Sequence, residues 1–245
     1  MSTNSKVAFI SGGNRGIGLE TARELGARGY QIVIGARDPG AAETAVQTLR
    51  AAGVGAEAVP YDAEKPATDQ GVFDHLSRRY GKLDVLVNNA AIAKEEVVSR
   101  SVLTVDDATI ERTFAVNLFA VIRLTRKLLP LLEKSEAGRI VNVSSILGSL
   151  GVHSAPNSPI AQAQPFAYDA SKTALNAFTV HLAASLAGTR IKVNSIHPGW
   201  VKTELGGPHA TDDVAGSAET SVRLATIGND GPSGGFFYKG DTLPW

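Results

Sequence analysis

The sequence predicts an α/β protein built on a doubly wound parallel sheet of about seven strands, with helices on both faces. Short runs of Val, Ile, Leu and Ala alternate along the chain with longer segments of helical periodicity. The short runs are apolar throughout, which is typical of strands buried on both faces, and their alternation with helices implies parallel strands. No Pro/Gly/Ser linker or repeat divides the 245 residues, so we expect a single domain spanning 1–245.

The elements follow in order. Six runs are predicted as strands, with a last strand expected at 236–238: 7–11, 31–36, 56–60, 83–88, 139–144 and 191–196. Five segments are predicted as helices: 16–28, 41–52, 68–80, 109–133 and 167–187. Two stretches interrupt the rhythm, at about 148–166, which holds three prolines, and at 199–213, which contains Gly206-Gly207-Pro208. We expect both to be loops at strand ends, where ligands bind in this architecture.

The composition argues against several classes of function. Lys plus Arg number 24, as do Asp plus Glu, so no basic surplus indicates nucleic acid or an anionic membrane as a partner. No apolar run reaches transmembrane length, and 7–10 is too short for the core of a signal peptide, so a cytoplasmic location is expected. The chain has no cysteine, which excludes disulfides and thiolate nucleophiles. Its five histidines lie far apart, so no metal site is expected.

The first strand runs into a glycine-rich turn, Ser11-Gly12-Gly13-Asn14-Arg15-Gly16-Ile17-Gly18, which opens a helix. Glycines there allow a tight turn and a close approach of the backbone to a pyrophosphate, toward which the first N–H groups of the helix point. The spacing of Gly12, Gly16 and Gly18 differs from the usual G-x-G-x-x-G. The strand-turn-helix context nevertheless favours a dinucleotide-binding, Rossmann-type site over a purely structural turn.

A second motif is the pair Tyr168 and Lys172, four residues apart. On a helix this spacing puts both side chains on one face. A nearby ammonium lowers the pKa of a phenol, because positive charge favours phenolate, so such a tyrosine can exchange protons closer to neutral pH. On its own the pair also suits a solvated helix face, and its meaning depends on the motifs that precede it.

Taken together, the motifs of this chain resemble the short-chain dehydrogenase/reductase family over residues 6–203. The resemblance rests on six features in order: the glycine turn, Asn88-Asn89-Ala90-Ala91, Asn117 in the long helix, Val143-Ser144-Ser145, Tyr168-x-x-x-Lys172, and Pro198-Gly199. Ser11 stands where the family has Thr, and Ala91 where it has Gly. One such match is weak, but six in the expected order and structural context are specific.

The resemblance implies roles for four catalytic residues. Tyr168 would protonate the carbonyl oxygen during reduction and act as the base in reverse. Lys172 would lower the pKa of Tyr168 and hydrogen-bond the nicotinamide ribose. Ser145, rather than its neighbour Ser144, would donate a hydrogen bond to the substrate oxygen. Asn117 would hold a water near Lys172 through a local irregularity of its helix. The residues alone favour the simpler interpretation, a satisfied polar residue in an otherwise apolar helix.

The resemblance also implies a set of cofactor-binding positions. Asp62 would contact the adenine, and Asn89 and Ala90 would line the adenosine side. The turn residues Gly12, Asn14, Arg15, Gly16, Ile17 and Gly18 would cradle the phosphates. The nicotinamide would be held by Pro198, Gly199, Val201 and Thr203, in addition to Lys172.

Charge at the end of the second strand predicts which dinucleotide is bound. An acid at this position accepts the ribose hydroxyls of NAD, whereas this strand ends in Ala36-Arg37. Arg37 can pair with a 2′-phosphate through a bidentate fork, and Arg15 could be a second clamp. Asp38 follows directly and either points away or pairs with Arg37. We therefore expect NADP(H).

The segment before Tyr168 is longer than in simpler family members, since Ser145 and Tyr168 lie 23 positions apart. The extra stretch, 153–162, resembles the insertions of monomeric carbonyl reductases. It would shape the substrate pocket and weaken the family's usual dimer, so monomer and homo-oligomer both stay open; a passive surface loop is the alternative. Plausible pocket residues beside the motifs are mostly apolar: Ile92, Ile146, Leu147, His153, Trp200 and Leu205, with Lys94 near the mouth.

These features predict an NADPH-dependent reductase that converts small hydrophobic aldehydes and ketones to alcohols, with Tyr168 as general acid. Two alternatives stay within the same chemistry: an NADP-dependent alcohol dehydrogenase, and a reductase of carrier-bound ketoacyl groups, which would need a basic patch at the mouth. A third is a non-catalytic NADP-binding redox sensor, which a complete catalytic set disfavours.

Overall fold

A computed structural model describes residues 5–95 and 101–245, within which eight strands form one sheet. The strands are β1 (Val7–Ser11), β2 (Gln31–Ala36), β3 (Ala56–Pro60), β4 (Val85–Asn88), β5 (Arg139–Val143), β6 (Lys192–Ile196), β7 (Phe236–Tyr238) and β8 (Asp241–Thr242). Their order is β3-β2-β1-β4-β5-β6-β7-β8. All neighbours are parallel except β7 and β8. The strand order reverses between β1 and β4, and in such sheets ligands bind in the crevice that opens there, at the carboxyl ends of the strands.

Helices cover both faces of the sheet. They are α1 (Gly16–Ala27), α2 (Pro39–Ala51), α3 (Ala67–Tyr80), α4 (Asp107–Phe114), α5 (Ala120–Leu132), α6 (Leu150–His153), α7 (Phe166–Ser185) and α8 (Glu219–Ala225). Side chains of β1 alternate between the two faces, as the strand period requires. Ala8 and Ile10 pack in a core with α1, α2 and α8. Phe9, on the other face, packs in a core with α3 and α5. The predicted doubly wound α/β sheet is confirmed.

The sequence analysis did not predict β8, at the edge of the sheet, or α8, which packs on one face of it. β8 is a two-residue strand antiparallel to β7, and α8 has seven residues. Elements this short carry no recognisable periodicity, so they fall below what a pattern can indicate. The sheet therefore has eight strands instead of about seven, and its last pair departs from the all-parallel expectation.

The predicted helix 109–133 is three segments. Asp106 caps the start, since its Oδ1 accepts a 2.8 Å hydrogen bond from Thr109 N, and α4 therefore begins at Asp107. A π-helical turn at Ala115–Phe119 then separates α4 from α5. Capping also explains why α2 begins two residues before its predicted start: Asp38 Oδ1 accepts from Ala41 N, and Pro39 occupies the first helical position.

Remaining differences lie at the ends of elements. β4 begins two residues later than expected, and the other predicted helices and strands differ by no more than two residues at either end. The expected loop at about 148–166 contains α6, which Ser149 caps through a 3.1 Å hydrogen bond from Val152 N. Among the described residues, no helix combines the length and apolarity needed to cross a membrane.

Candidate active site

A cavity of about 1040 Å³ runs along the carboxyl ends of the strands. Its walls come from the segments that follow strands β1 to β6, together with the start of α7. Every residue predicted to bind the dinucleotide lines it: Gly12, Asn14, Arg15, Gly16, Ile17, Gly18, Arg37, Asp62, Asn89, Ala90, Lys172, Pro198, Gly199, Val201 and Thr203. Ser145 and Tyr168 line it as well. Positions spread over most of the chain therefore meet at one crevice.

The glycine turn forms one end of this cavity. Gly12 has a left-handed φ of +64°, which favours glycine. A Cβ on Gly18 would stand 2.5 Å from both Gly12 O and Asn89 Nδ2, so the helix can approach this closely only without a side chain. Asn89 Nδ2 donates to the carbonyls of Ser11 and Gly12, at 2.9 and 3.1 Å. The turn is thus fixed by its neighbour from β4.

Ser11 supplies the hydroxyl expected at this position in place of threonine. Its Oγ accepts hydrogen bonds from the backbone N–H groups of Asn89 and Ala90, at 3.0 and 3.1 Å. This links the ends of β1 and β4 where the strand order reverses, so the departure from the family pattern leaves the contact intact.

Tyr168, Lys172 and Ser145 meet at the inner end of the cavity. Tyr168 and Lys172 lie one turn apart on α7, with Lys172 Nζ 5.5 Å from the centre of the Tyr168 ring. Lys172 Nζ also donates a 2.7 Å hydrogen bond to Val143 O at the end of β5. Ser145 hydrogen-bonds the side chain of Tyr168 and accepts from Leu147 N at 3.2 Å. All three side chains are largely buried, so the polar groups face each other away from bulk water.

Burial controls the protonation of this group. It raises the pKa of Tyr168 above its usual value, and the hydrogen bond from Ser145 offsets this only in part. It lowers the pKa of Lys172 to about 7. The prediction of a depressed tyrosine pKa is therefore wrong. A buried lysine is itself disfavoured in its charged form, and desolvation of the phenol outweighs the attraction of a partial charge.

Asn117 lies in the π-helical turn, so the predicted irregularity of the long helix is present. Its side chain is buried and does not line the cavity. Oδ1 accepts from Ile92 N at 2.9 Å, while Nδ2 donates to Ile92 O at 2.9 Å and to Ser171 Oγ at 3.0 Å. Asn117 thus ties the loop after β4 to α7, beside Lys172.

The two arginines expected to bind a phosphate, Arg37 and Arg15, have different surroundings. Arg37 is exposed at the end of β2 and lines the cavity. Asp38 turns to cap α2, and no ion pair joins it to Arg37 in the described part of the chain. Arg15 instead forms an ion pair with Glu204 across the mouth. Arg37 is the better placed of the two arginines for a phosphate.

The substrate end is mostly apolar. Of the residues proposed for it, Ile92, Ile146, Leu147, Trp200 and Leu205 line the cavity, joined by Pro159 and Ile160 from the extra stretch. His153 and Lys94 do not. His153 is drawn away, because its Nε2 lies 2.9 Å from Leu147 O and 3.3 Å from Asp169 Oδ2. It anchors the extra stretch to α7.

Among the lining residues that the sequence analysis missed are Glu95 and His197. The Nδ1 of His197 accepts a 3.3 Å hydrogen bond from Ile146 N, next to Ser145. Burial lowers its pKa to about 4, although Asp212 opposes this. Its position directly before Pro198-Gly199 was an available signal. Within residues 5–95 and 101–245, no cluster of His, Asp and Glu could hold a metal ion.

Comparison with known proteins agrees with this geometry. The family model for short chain dehydrogenases matches residues 6–213. Carbonyl reductase (NADPH) 1 of Mus musculus is 31% identical, covering 100% of both chains. The 3-oxoacyl-acyl-carrier-protein reductase of Salmonella typhimurium is 29% identical, over 88% of this chain and 82% of its own. An NADPH-bound carbonyl reductase from chicken fatty liver superposes with a TM-score of 0.86 at 25% identity, covering 99% and 100% of the two chains. The chain therefore belongs to the short chain dehydrogenase family.

Proposed function

We propose that this protein reduces aldehydes and ketones to alcohols with NADPH. One observation carries the proposal: a single cavity joins a phosphate-compatible glycine turn at one end to Tyr168, Ser145 and Lys172 at the other. The relatives named carbonyl reductase (NADPH) extend over the whole chain, which supports the same reaction. A dinucleotide laid along this crevice would bring its reactive end to the three polar side chains.

The residues present fit NADPH. The cradle at Gly12 and Gly18 is one that a side chain would fill, leaving room for a pyrophosphate against the first N–H groups of α1. Arg37 is exposed at the end of β2, and Asp38 is engaged as the cap of α2, so the charge facing the adenosine ribose favours a 2′-phosphate. We further propose that Asp62, Asn89 and Ala90 face the adenosine and that the nicotinamide is held by four other cavity residues: Pro198, Gly199, Val201 and Thr203.

When bound, NADPH would supply the hydride that the carbonyl carbon accepts. Tyr168 donates its phenolic proton to the carbonyl oxygen, and Ser145 donates a hydrogen bond to the same oxygen as negative charge develops there. The raised pKa of Tyr168 keeps the phenol protonated and ready to act as an acid at neutral pH. In the oxidative direction the same group, as phenolate, would take the proton from the alcohol, because forward and reverse reactions pass through the same transition state.

Lys172 is proposed to control the protonation of Tyr168 and to bind the nicotinamide ribose. Because its pKa is about 7, Lys172 changes charge near neutral pH. It can therefore gain or lose a proton when the phenol of Tyr168 does. Asn117 is proposed to hold the π-helical turn through which a water could reach Lys172. Its three hydrogen bonds fix the surrounding loop and α7.

The substrate is proposed to be a small hydrophobic carbonyl compound, because most of the lining near Tyr168 is apolar. A carrier-bound ketoacyl substrate would call for a basic patch at the mouth. The mouth cations instead face acids: Arg15 pairs with Glu204, and Lys202 Nζ lies 2.8 Å from Asp213 Oδ1. These pairs favour a free small molecule over an acidic carrier.

The extra stretch is proposed to shape this pocket and to weaken a dimer through the long helices. Pro159 and Ile160 line the cavity, and His153 links the stretch to Asp169 on α7. Gel filtration with light scattering tests the assembly claim: a monomer is expected. A tight dimer whose interface crosslinks through α5 and α7 would contradict it.

The functional proposal is tested by following NADPH absorbance with aromatic, aliphatic and dicarbonyl compounds. Turnover with NADPH well above that with NADH is expected for at least the aromatic aldehydes. If NADPH binds but no free carbonyl is reduced, carrier-bound ketones and alcohols with NADP are the next substrates. Silence with all of them would favour the redox-sensor alternative.

A further inference from the structure

The helix that bears Tyr168 and Lys172 begins without a cap of its own. The residue before α7 is Pro165, whose side chain makes no capping hydrogen bond. The first N–H groups of a helix have no partner within the helix and need one from elsewhere. An uncapped first turn frays, and here that turn contains Tyr168.

Two side chains more than 60 positions earlier, Glu95 and Ser101, supply the missing partners. Phe166 N donates to Ser101 Oγ at 2.9 Å, and Tyr168 N donates to Glu95 Oε2 at 3.1 Å. Ser101 Oγ in turn donates to Glu95 Oε1. A hydroxyl can accept one bond and donate another, so the three contacts are compatible and form one closed arrangement.

Charge strengthens this arrangement. A carboxylate is stabilised at the amino end of a helix, where the partial positive charge of the free N–H groups concentrates. Hydrogen bonds between an ionised acceptor and backbone N–H groups are also stronger than neutral ones. Ser101 N additionally donates to Gln164 O at 3.3 Å, which ties Ser101 to the chain just before α7.

We propose that Glu95 is a positioning residue: it fixes the first turn of α7 and so sets the phenol of Tyr168 against Ser145. Glu95 also lines the cavity near Ile92 and Ala93, so the wall of the substrate end and the catalytic helix are held by one side chain. A substrate that orders this wall would also order Tyr168. The inference rests on the proposed function, since it assigns Glu95 a part in that reaction.

The test compares Glu95→Ala with Glu95→Gln, which keeps an acceptor oxygen at nearly the same place. Ser101→Ala removes the second partner, and Glu136→Ala, an exposed residue beyond α5, is the matched control. Glu95→Ala is expected to lower kcat for an aromatic aldehyde by about 10- to 100-fold, because small misplacements of a catalytic group have effects of this size. NADPH affinity should stay within about twofold, as the contacts to Glu95 lie outside the phosphate end. Glu95→Gln should recover most of kcat, and Ser101→Ala should fall between the two.

Hydrogen–deuterium exchange of peptides covering 166–171 gives a readout that does not need turnover. Faster exchange there in Glu95→Ala, but not in the control, is expected. Unchanged exchange would overturn the cap. Faster exchange and a lower Tm with kcat within twofold of wild type would also overturn the proposal, because Glu95 would then serve the fold alone. If the wild type reduces no carbonyl at all, the proposed function fails, and with it the positioning role of Glu95. Hydrogen–deuterium exchange would still show whether Glu95 caps α7, so the two failures can be told apart.

Discussion

Lys172 donates a 2.7 Å hydrogen bond from Nζ to the main-chain carbonyl of Val143. A lysine that is almost fully buried is held here between the end of β5 and the ring of Tyr168. Since burial lowers its pKa from the usual 10.5 to about 7, the unfolded chain binds more protons than the folded one between these two pH values. Lys172 should therefore reduce the free energy of unfolding most at and below neutral pH, where folding buries its charged form.

Replacing Lys172 by Met should consequently stabilise the protein at pH 7, by about 2 to 4 kcal/mol, and by about 1 kcal/mol or less at pH 10. The sign follows from the lowered pKa: the destabilising contribution of Lys172 disappears as pH rises from about 7 to 10.5. Urea unfolding of both proteins at pH 7 and pH 10 measures the difference, and the variant should have lost turnover. A stability difference that does not change with pH would contradict the assignment.

Ser145→Ala should lower kcat by about 100- to 1000-fold, the usual effect of removing one donor to a developing oxyanion. The hydroxyl also lowers the pKa of Tyr168, so its loss should move the alkaline limb of the pH–rate profile upward. NADPH affinity should change little. Ser144→Ala is the informative comparison, because Ser144 Oγ lies 3.5 Å from Lys172 O and donates away from the phenol. An equal loss in both variants would argue against Ser145 as the acting serine.

Arg37→Ala should raise the KM for NADPH by about 10- to 100-fold and leave the KM for NADH nearly unchanged, because a guanidinium–phosphate pair contributes only where the phosphate is present. Initial rates with both cofactors measure this. Arg15→Ala should have a smaller effect, since Arg15 is held by Glu204. If the KM values for NADPH and NADH rise equally in Arg37→Ala, the arginine does not bind the 2′-phosphate.

Asn117→Ala should destabilise the protein by about 2 to 4 kcal/mol, because it removes three hydrogen bonds and leaves both polar groups of the Ile92 backbone without the partner they have now. Chemical denaturation at pH 7 tests this. Turnover should fall as well, since the loop after β4 loses its tie to α7. Loss of turnover with wild-type stability would instead point to a purely catalytic role.

Much of this molecule could be predicted because its signals are local. Apolar runs of strand length and a glycine turn between strand and helix depend on neighbours in sequence, so they indicated β1, α1 and the doubly wound sheet. The start of a helix also has a local origin where a side chain caps it, as Asp38 caps α2 and Asp106 caps α4. These two caps were available in the sequence and were overlooked.

What the sequence could not indicate depends on contacts between distant segments. Arg15 meets Glu204, and His153 turns toward Asp169, only after the chain has folded. The pKa of Tyr168 likewise depends on how deeply its side chain is buried. The spacing of residues along the sequence does not indicate that burial. Pairing rules along a helix therefore gave the right neighbours, Tyr168 and Lys172, and the wrong direction for the phenol's pKa.

The most direct test of the account is Tyr168→Phe assayed with NADPH and an aromatic aldehyde that the wild type reduces. The variant keeps the ring and loses only the acid, so kcat should fall by about 1000-fold or more, while NADPH binding measured by fluorescence stays within about threefold. Turnover within tenfold of wild type, with binding intact, would contradict the central claim that Tyr168 supplies the proton.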